Sequence, residues 1–443
     1  MGGSTANDSS NRSGFSINSF IKSESAGGFL LILVTIFALV WANSGWADSY
    51  HKIWHEIKLG WSFGDFAMKY SLQHWINDGL MAVFFFMVGL EIKREVVAGE
   101  LSTLNKASLP IAAAVGGILF PALIFVIFNH NNPEHLAGWG TPMATDIAFA
   151  LGILSLLGKK VSINLKIFLT ALAIADDLGA ILVIALFYTD TINITQLLNA
   201  AFFLAILIGA NRLGVRRTTF YALVGFLGVW MSFMFSGVHA TIAGVLIALT
   251  IPGRTKVTEK QYVDDLCVLV EKFEQAKPND KDLLTQKQAH LVSKIAKLTD
   301  DANTPLQKLE HALHPLTAFF ILPLFALANA GVHIEGNIMD MLLHPVALGI
   351  MAGLVLGKVL GISLLSRLMV WLKLAELPEG VTWRHIYGAG MLAGIGFTMS
   401  IFISGLAFGS EQLEQIAKIG IFAASLISAI AGLIMLSAKR GRE

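Results

Sequence analysis

Residues 163–188 read INLKIFLTALAIADDLGAILVIALFY, one apolar run with two adjacent aspartates, Asp176 and Asp177, at its middle. At about 1.5 Å per residue, such a run crosses the roughly 30 Å hydrocarbon core of a bilayer as a single helix. An ionisable side chain at that depth costs about 2.5–3.5 kcal/mol on insertion scales. Two carboxylates side by side also repel when both are charged. Consecutive helix positions differ by about 100°, so the two cannot point the same way. One can meet a fixed cation while the other faces a cavity. Ala171, Ala173, Ala175, Gly179 and Ala180 around them let other backbone come close.

The whole chain fits this setting. Its 443 residues are 55% hydrophobic and 14% charged, with a mean hydropathy of +0.65. A soluble domain runs at about 45–50% apolar and about 25% charged. The composition excludes a disordered chain, a nucleic-acid binder and an ordinary cytosolic enzyme. A net charge of +1 implies no bulk attraction to a polyanion. The single cysteine, Cys267, leaves no intramolecular disulfide and no cysteine metal site.

Apolar runs predict an all-α polytopic membrane protein of twelve transmembrane helices. They lie near 27–47, 75–97, 107–129, 134–157, 162–189, 195–211, 219–235, 238–252, 314–333, 342–371, 387–408 and 413–437. Residues 1–26 read as a flexible cytoplasmic tail, and 438–443 as a short cytoplasmic one. Loops at 131–141, 189–195, 236–239, 332–340 and 409–415 carry no Lys or Arg. The alternate loops hold Lys93, Arg94 and Lys106, then Lys159, Lys160 and Lys166, then Arg212, Arg216 and Arg217, then Arg367, Lys373 and Arg384. This places both termini in the cytoplasm. The loop at 48–74 dissents with Lys52, Lys58 and Lys69. There Ile57, Leu59, Trp61 and Phe63 alternate with Lys58, Gly60 and Ser62, a strand or hairpin pattern. An amphipathic interfacial segment is the alternative. Residues 253–305 mix both charges, with Leu266, Val270 and Phe273 at helical spacing, and read as a cytoplasmic insertion with one or two surface helices.

Two more ionisable residues lie at membrane depth, Asp146 and Lys358. A lone buried aspartate can merely cap a broken helix, and a lone lysine can merely pair with it; four such residues together call for a use. Gly349, Gly353, Gly357 and Gly361 form a bare stripe on the helix of Lys358. The stripe admits a neighbouring helix or an unwound segment. The run 143–157 is too short to cross alone, so its span takes in Pro142 and the glycines before it, and Thr145 and Asp146 fall at an unwound point. A second weak point is Gly394–Ser400. The two breaks occupy the middle of the triplets 107–189 and 342–437, which start on opposite sides. Interrupted helices at matching places in inverted repeats are the pattern of a secondary transporter.

Several segments closely resemble the NhaA sodium/proton antiporters of bacterial inner membranes. They are Ala144–Ala150 (ATDIAFA), Ala173–Gly179 (AIADDLG), Gly394–Ser400 (GIGFTMS), Val88–Glu95 (VGLEIKRE), Ser236–Thr241 (SGVHAT) and Glu310–Pro315 (EHALHP). The likeness runs from about residue 20 to 437, apart from the insertion. It implies Asp177 as the central cation-binding carboxylate and Asp176 as its neighbour, paired with Lys358. Thr145 and Asp146 match the crossing of the unwound chains, where Asp146 would offset positive half-helix ends and Lys358 negative ones. Glu91, Arg94, Glu95, His239, Glu310 and His314 match positions tied to pH regulation at a cytoplasmic funnel. The family dimerises through a hairpin after its first span, which fits the alternation at 57–63. Two features depart: the insertion looks longer than usual, and Gln307 stands where a basic residue is expected.

The expected chemistry is competition. Oxygen ligands suit the hard Na+ ion, and the same carboxylates hold protons as a coupled pair. The resemblance thus implies exchange of cytoplasmic Na+ or Li+ for external H+, electrogenic and pH-regulated, by a homodimer in the bilayer that needs no cofactor. A sodium-selective channel could use the same carboxylates. An intramembrane aspartyl protease would carry a Gly-x-Gly-Asp pattern and a metalloprotease His-Glu-x-x-His; the sequence has neither.

Overall fold

A computed structural model describes residues 24–63, 66–189, 192–276, 283–334 and 336–437. The expected tails at 1–26 and 438–443 fall outside the described residues, except that a helix already begins at Glu24.

The chain is mostly helical, and its polarity is inside out. Leu123, Ile127, Leu198, Phe202, Leu426 and Ile434 point outward and are exposed, whereas Asp146, Asp176, Asp177 and Lys358 are each at most 2% exposed. Water would reverse that arrangement; lipid favours it.

Among the described residues, six helices are long and apolar enough to cross a membrane: Leu104–Asn129, Ile163–Phe187, Ile194–Arg212, Pro305–Asn329, Pro345–Trp371 and Glu411–Ser437. Two bent pairs bring the number to eight, Ala26–Ala42 with Ala47–Glu56 and Trp383–Ala393 with Phe397–Ala407. The expectation is of twelve spans, two of them interrupted, and several of those spans are divided or shortened among the described residues. Expected spans 219–235 and 238–252 are the shorter helices Thr218–Met234 and Thr241–Thr250. The expected 75–97 overlaps the helix Met81–Ala98, whose last turns carry Glu91, Lys93, Arg94 and Glu95. The expected 27–47 stops at Ala42, and the chain then turns by 118°. Asn43 fixes that turn, donating to the Val332 carbonyl at 2.7 Å and accepting from Ile334 N–H at 2.9 Å. Hydropathy measures the length of an apolar run and is blind to such a bend.

The alternating segment is a hairpin. Strands Lys58–Phe63 and Phe66–Ser71 pair antiparallel, with Lys58 opposite Ser71 and Trp61 opposite Met68. The indole of Trp75 donates to the Leu59 carbonyl at 2.9 Å and ties the hairpin to the next helix. Within 253–305, helices Glu259–Glu274 and Gln286–Ala302 pack on each other.

The glycine stripe is where the interior closes. A Cβ on Gly361 would lie 2.0 Å from the Gly116 carbonyl oxygen, and one on Gly116 would lie 2.1 Å from that of Gly361. Gly353 faces Pro142 and Gly357 faces Pro121, each closer than a Cβ allows. The helix Pro345–Trp371 thus lies backbone to backbone on Leu104–Asn129, and one edge touches the unwound segment at Pro142. A π-turn at Gly353–Gly357 immediately precedes Lys358.

Candidate functional site

Two interrupted helices meet in the interior. The first runs Pro133–Leu136, continues as a tight helix Ala137–Met143, opens at residues 144–146 and restarts as Ile147–Ser155. Pro142 and the flanking glycines explain the opening. The second stops at Ala393 and restarts at Phe397 with a 48° bend. The breaks touch directly: Asp146 N–H donates to the Ile395 carbonyl at 2.7 Å.

Asp146 occupies the crossing. One carboxylate oxygen accepts the Phe149 N–H at 3.0 Å and so caps its own half-helix. The other accepts the Thr398 N–H at 3.1 Å and the Thr398 hydroxyl, near the start of the second half-helix. One negative charge therefore faces two helix N-termini, where the peptide dipoles favour it.

Thr145 faces the other way. Its Oγ1 lies 2.7 Å from Asp176 Oδ2 and 2.8 Å from the Ala393 carbonyl oxygen, the end of the other half-helix. Its one proton serves one of them at a time. Lys358 Nζ forms an ion pair with the same Asp176 Oδ2. The lysine stem lies against Gly117. So Lys358 meets the aspartate helix and, among the described residues, bonds to no half-helix carbonyl.

Asp177 stands apart. It is buried, and neither of its carboxylate oxygens has a hydrogen-bond partner among the described residues. It lines a cavity of about 120 Å³ together with Asp146, Glu91, Arg94, His314 and Thr317. That space takes several waters. Adjacent positions thus carry different duties: Asp176 is tied to a cation and a hydroxyl, and Asp177 is open to the cavity. Among the described residues no three His, Cys, Asp or Glu side chains converge as a transition-metal site requires. A monovalent ion held by a carboxylate and water needs no such cluster.

On the far side of the cavity, Arg94 pairs with Glu310 and donates to Glu95 at 2.9 Å. The second Glu95 oxygen accepts the Glu100 N–H at 2.9 Å. Glu91, Arg94, Glu95, Glu310 and His314 are thus brought together by helices Met81–Ala98 and Pro305–Asn329. His239 is not with them. Its Nε2 lies 2.6 Å from the Tyr188 carbonyl oxygen, just past the end of the aspartate helix. The expectation that grouped His239 with the funnel residues is corrected in that respect. A motif match carries residue identity and not location.

Thr398 is the contact that sequence reasoning missed. It lies in a segment already singled out, two residues past Gly396. A hydroxyl in the first turn of a restarting helix was the available signal.

The profile of the Na+/H+ antiporter 1 family matches residues 18–436. The chain is 50% identical over 426 residues to the "Na(+)/H(+) antiporter NhaA" of Oleidesulfovibrio alaskensis, covering 96% of this chain and 94% of the relative. It is 50% identical over 429 residues to the protein of that name from Acidithiobacillus ferrooxidans, covering 95% and 98%. Against that of Helicobacter pylori it is 47% identical over 424 residues, covering 95% of each. Matched by the profile across nearly its whole length and aligned end to end with these relatives, the chain belongs to the Na+/H+ antiporter 1 family.

Proposed function

We propose that this protein exchanges cytoplasmic Na+ or Li+ for external H+ across a bacterial inner membrane. The observation that carries this reading is Asp177, a buried carboxylate that faces a cavity and has no hydrogen-bond partner for either oxygen among the described residues. A carboxylate so placed binds Na+ or a proton, and the two compete for the same oxygens. Asp176 is the second proton carrier. When it is protonated, its Oδ2–H can donate to Thr145 Oγ1 while Thr145 donates to the Ala393 carbonyl, so the Thr145 hydroxyl keeps a partner in either state. Lys358 balances Asp176 in the ionised state. Two protons moving against one Na+ carry net charge, which makes the exchange electrogenic.

Alternating access accounts for the crossed breaks. Half-helix ends held at a shared point let the carboxylates face either side without exposing free backbone to lipid. The twelve-span inverted-repeat architecture, with both termini cytoplasmic, is part of this proposal. So are homodimerisation through the hairpin Lys58–Ser71 and pH regulation through the Glu91, Arg94, Glu95, Glu310 and His314 cluster. His239, which lies elsewhere, would act on the other end of the aspartate helix.

The test is reconstitution in liposomes with an imposed Na+ gradient, reading internal pH and membrane potential together. Na+-dependent proton movement with accompanying charge supports the proposal. Sodium current with no proton movement indicates a channel and contradicts it.

A further inference from the structure

We propose that Tyr188 is a positioning residue for exchange, a clasp that fixes the first interrupted helix against the helix carrying Asp176 and Asp177. This rests on the antiport reading above.

Tyr188 follows the last residue of the helix Ile163–Phe187. Its hydroxyl donates to the Ala137 carbonyl at 2.9 Å and accepts from the Gly140 N–H at 3.0 Å. Ala137 and Gly140 are three residues apart in a tight helical turn, Ala137–Met143. They are the carbonyl and amide that a regular i→i+3 turn would pair with each other. The phenol therefore reaches into the hydrogen bonding of that turn and sets its pitch from outside.

The fit is close on every side. A Cβ on Gly140 would lie 2.6 Å from the Tyr188 hydroxyl. A Cβ on Gly138 would lie 2.1 Å from the Phe408 ring. Trp139 meets Phe187 edge to face, with centroids 5.1 Å apart. His239 Nε2 lies 2.6 Å from the Tyr188 carbonyl oxygen and holds the clasp at its root.

Five residues after Gly140 comes Thr145, 2.7 Å from Asp176. The aspartate helix is a rigid rod, so fixing residues 137–140 at its end fixes Thr145 and Asp146 against the carboxylates near its middle. A small change of pitch in the tight turn moves Thr145 relative to Asp176, and a shift of well under 1 Å already spoils a hydrogen bond.

The experiment compares wild type, Tyr188→Phe, Gly140→Ala and the double variant in proteoliposomes, reading Na+-dependent proton flux against Na+ concentration. Phenylalanine keeps the ring, and the freed turn can close its own bond, so the fold is retained. Loss of one positioning hydrogen bond should raise the apparent KM for Na+ roughly fivefold, with the maximal rate changed less. Gly140→Ala, which crowds the hydroxyl, should raise KM in wild type and do so less in the Tyr188→Phe background. Tyr188→Phe with wild-type KM, or additive effects of the two changes, would overturn the clasp. Should Tyr188→Phe fail to accumulate, Gly140→Ala alone carries the test: an unchanged KM overturns the proposal, and a raised one supports it. Wild-type liposomes without Na+-dependent proton flux would instead refute the antiport reading.

Discussion

Asp146→Asn is the most informative single change at the crossing of the two interrupted helices. The native carboxylate accepts from Phe149 N–H, from Thr398 N–H and from the Thr398 hydroxyl, using both oxygens. An asparagine has one carbonyl oxygen. If it serves Phe149, its amide N–H groups face the Thr398 N–H, and the second half-helix loses its acceptor. A lost cap costs about 1 kcal/mol. Removing the charge from two helix N-termini costs a further 0.5–1 kcal/mol or so at each. The sum is about 2–3 kcal/mol, concentrated at the point where the two breaks touch. The assay is unfolding in detergent, followed by tryptophan fluorescence, alongside Na+-dependent proton flux in vesicles. Asp146→Asn should unfold at a lower temperature and need more Na+ for half-maximal flux. Thr398→Val should be destabilising in wild type and much less so in Asp146→Asn, because the hydroxyl has then already lost its charged acceptor. An Asp146→Asn protein with wild-type unfolding and Na+ dependence would refute the capping argument.

Two other outcomes follow from the same geometry. Lys358→Met leaves Asp176 buried without its cation, a loss of about 3–5 kcal/mol. The double change Lys358→Met, Asp176→Asn removes both charges and should recover much of the unfolding temperature; no recovery would show that the pair is not the coupled unit. His344, at the start of the helix Pro345–Trp371, has its pKa lowered by burial and by the neighbouring His135. The neutral ring also accepts the Val346 N–H at 3.3 Å. Its contribution to stability is therefore present above the unfolded value of about 6.5 and is lost as pH falls through the lower folded value. The acid-side drop in unfolding temperature should be smaller in His344→Gln than in wild type, and an identical drop would remove His344 from the account.

Much of the site is legible in the sequence because charge in an apolar run is rare and costly. Asp146, Asp176, Asp177 and Lys358 identify themselves that way, and the structure gathers all four in one interior region. The breaks were legible too, from Pro142 and from the glycines at 394–396. What the sequence does not carry is partner choice. Nothing in the AIADDLG segment says that Asp176 takes Lys358 and Thr145 while Asp177 is left to the cavity; that depends on how the aspartate helix is rotated against its neighbours. The apolar runs also hide their own interruptions. The π-turn at Gly353–Gly357 changes helix pitch without any change in hydropathy. Tyr188 was invisible for a related reason: an aromatic at the end of a membrane helix usually marks an interface, and only coordinates show its hydroxyl bridging Ala137 and Gly140.

The central claim is that Asp177 is the carboxylate at which Na+ and H+ compete. Its most direct test is Na+-dependent proton flux in everted membrane vesicles, comparing wild type with Asp177→Asn at matched amounts of membrane-inserted protein. Abolished flux in Asp177→Asn is the predicted result. Normal Na+-dependent proton flux in that variant would contradict the account.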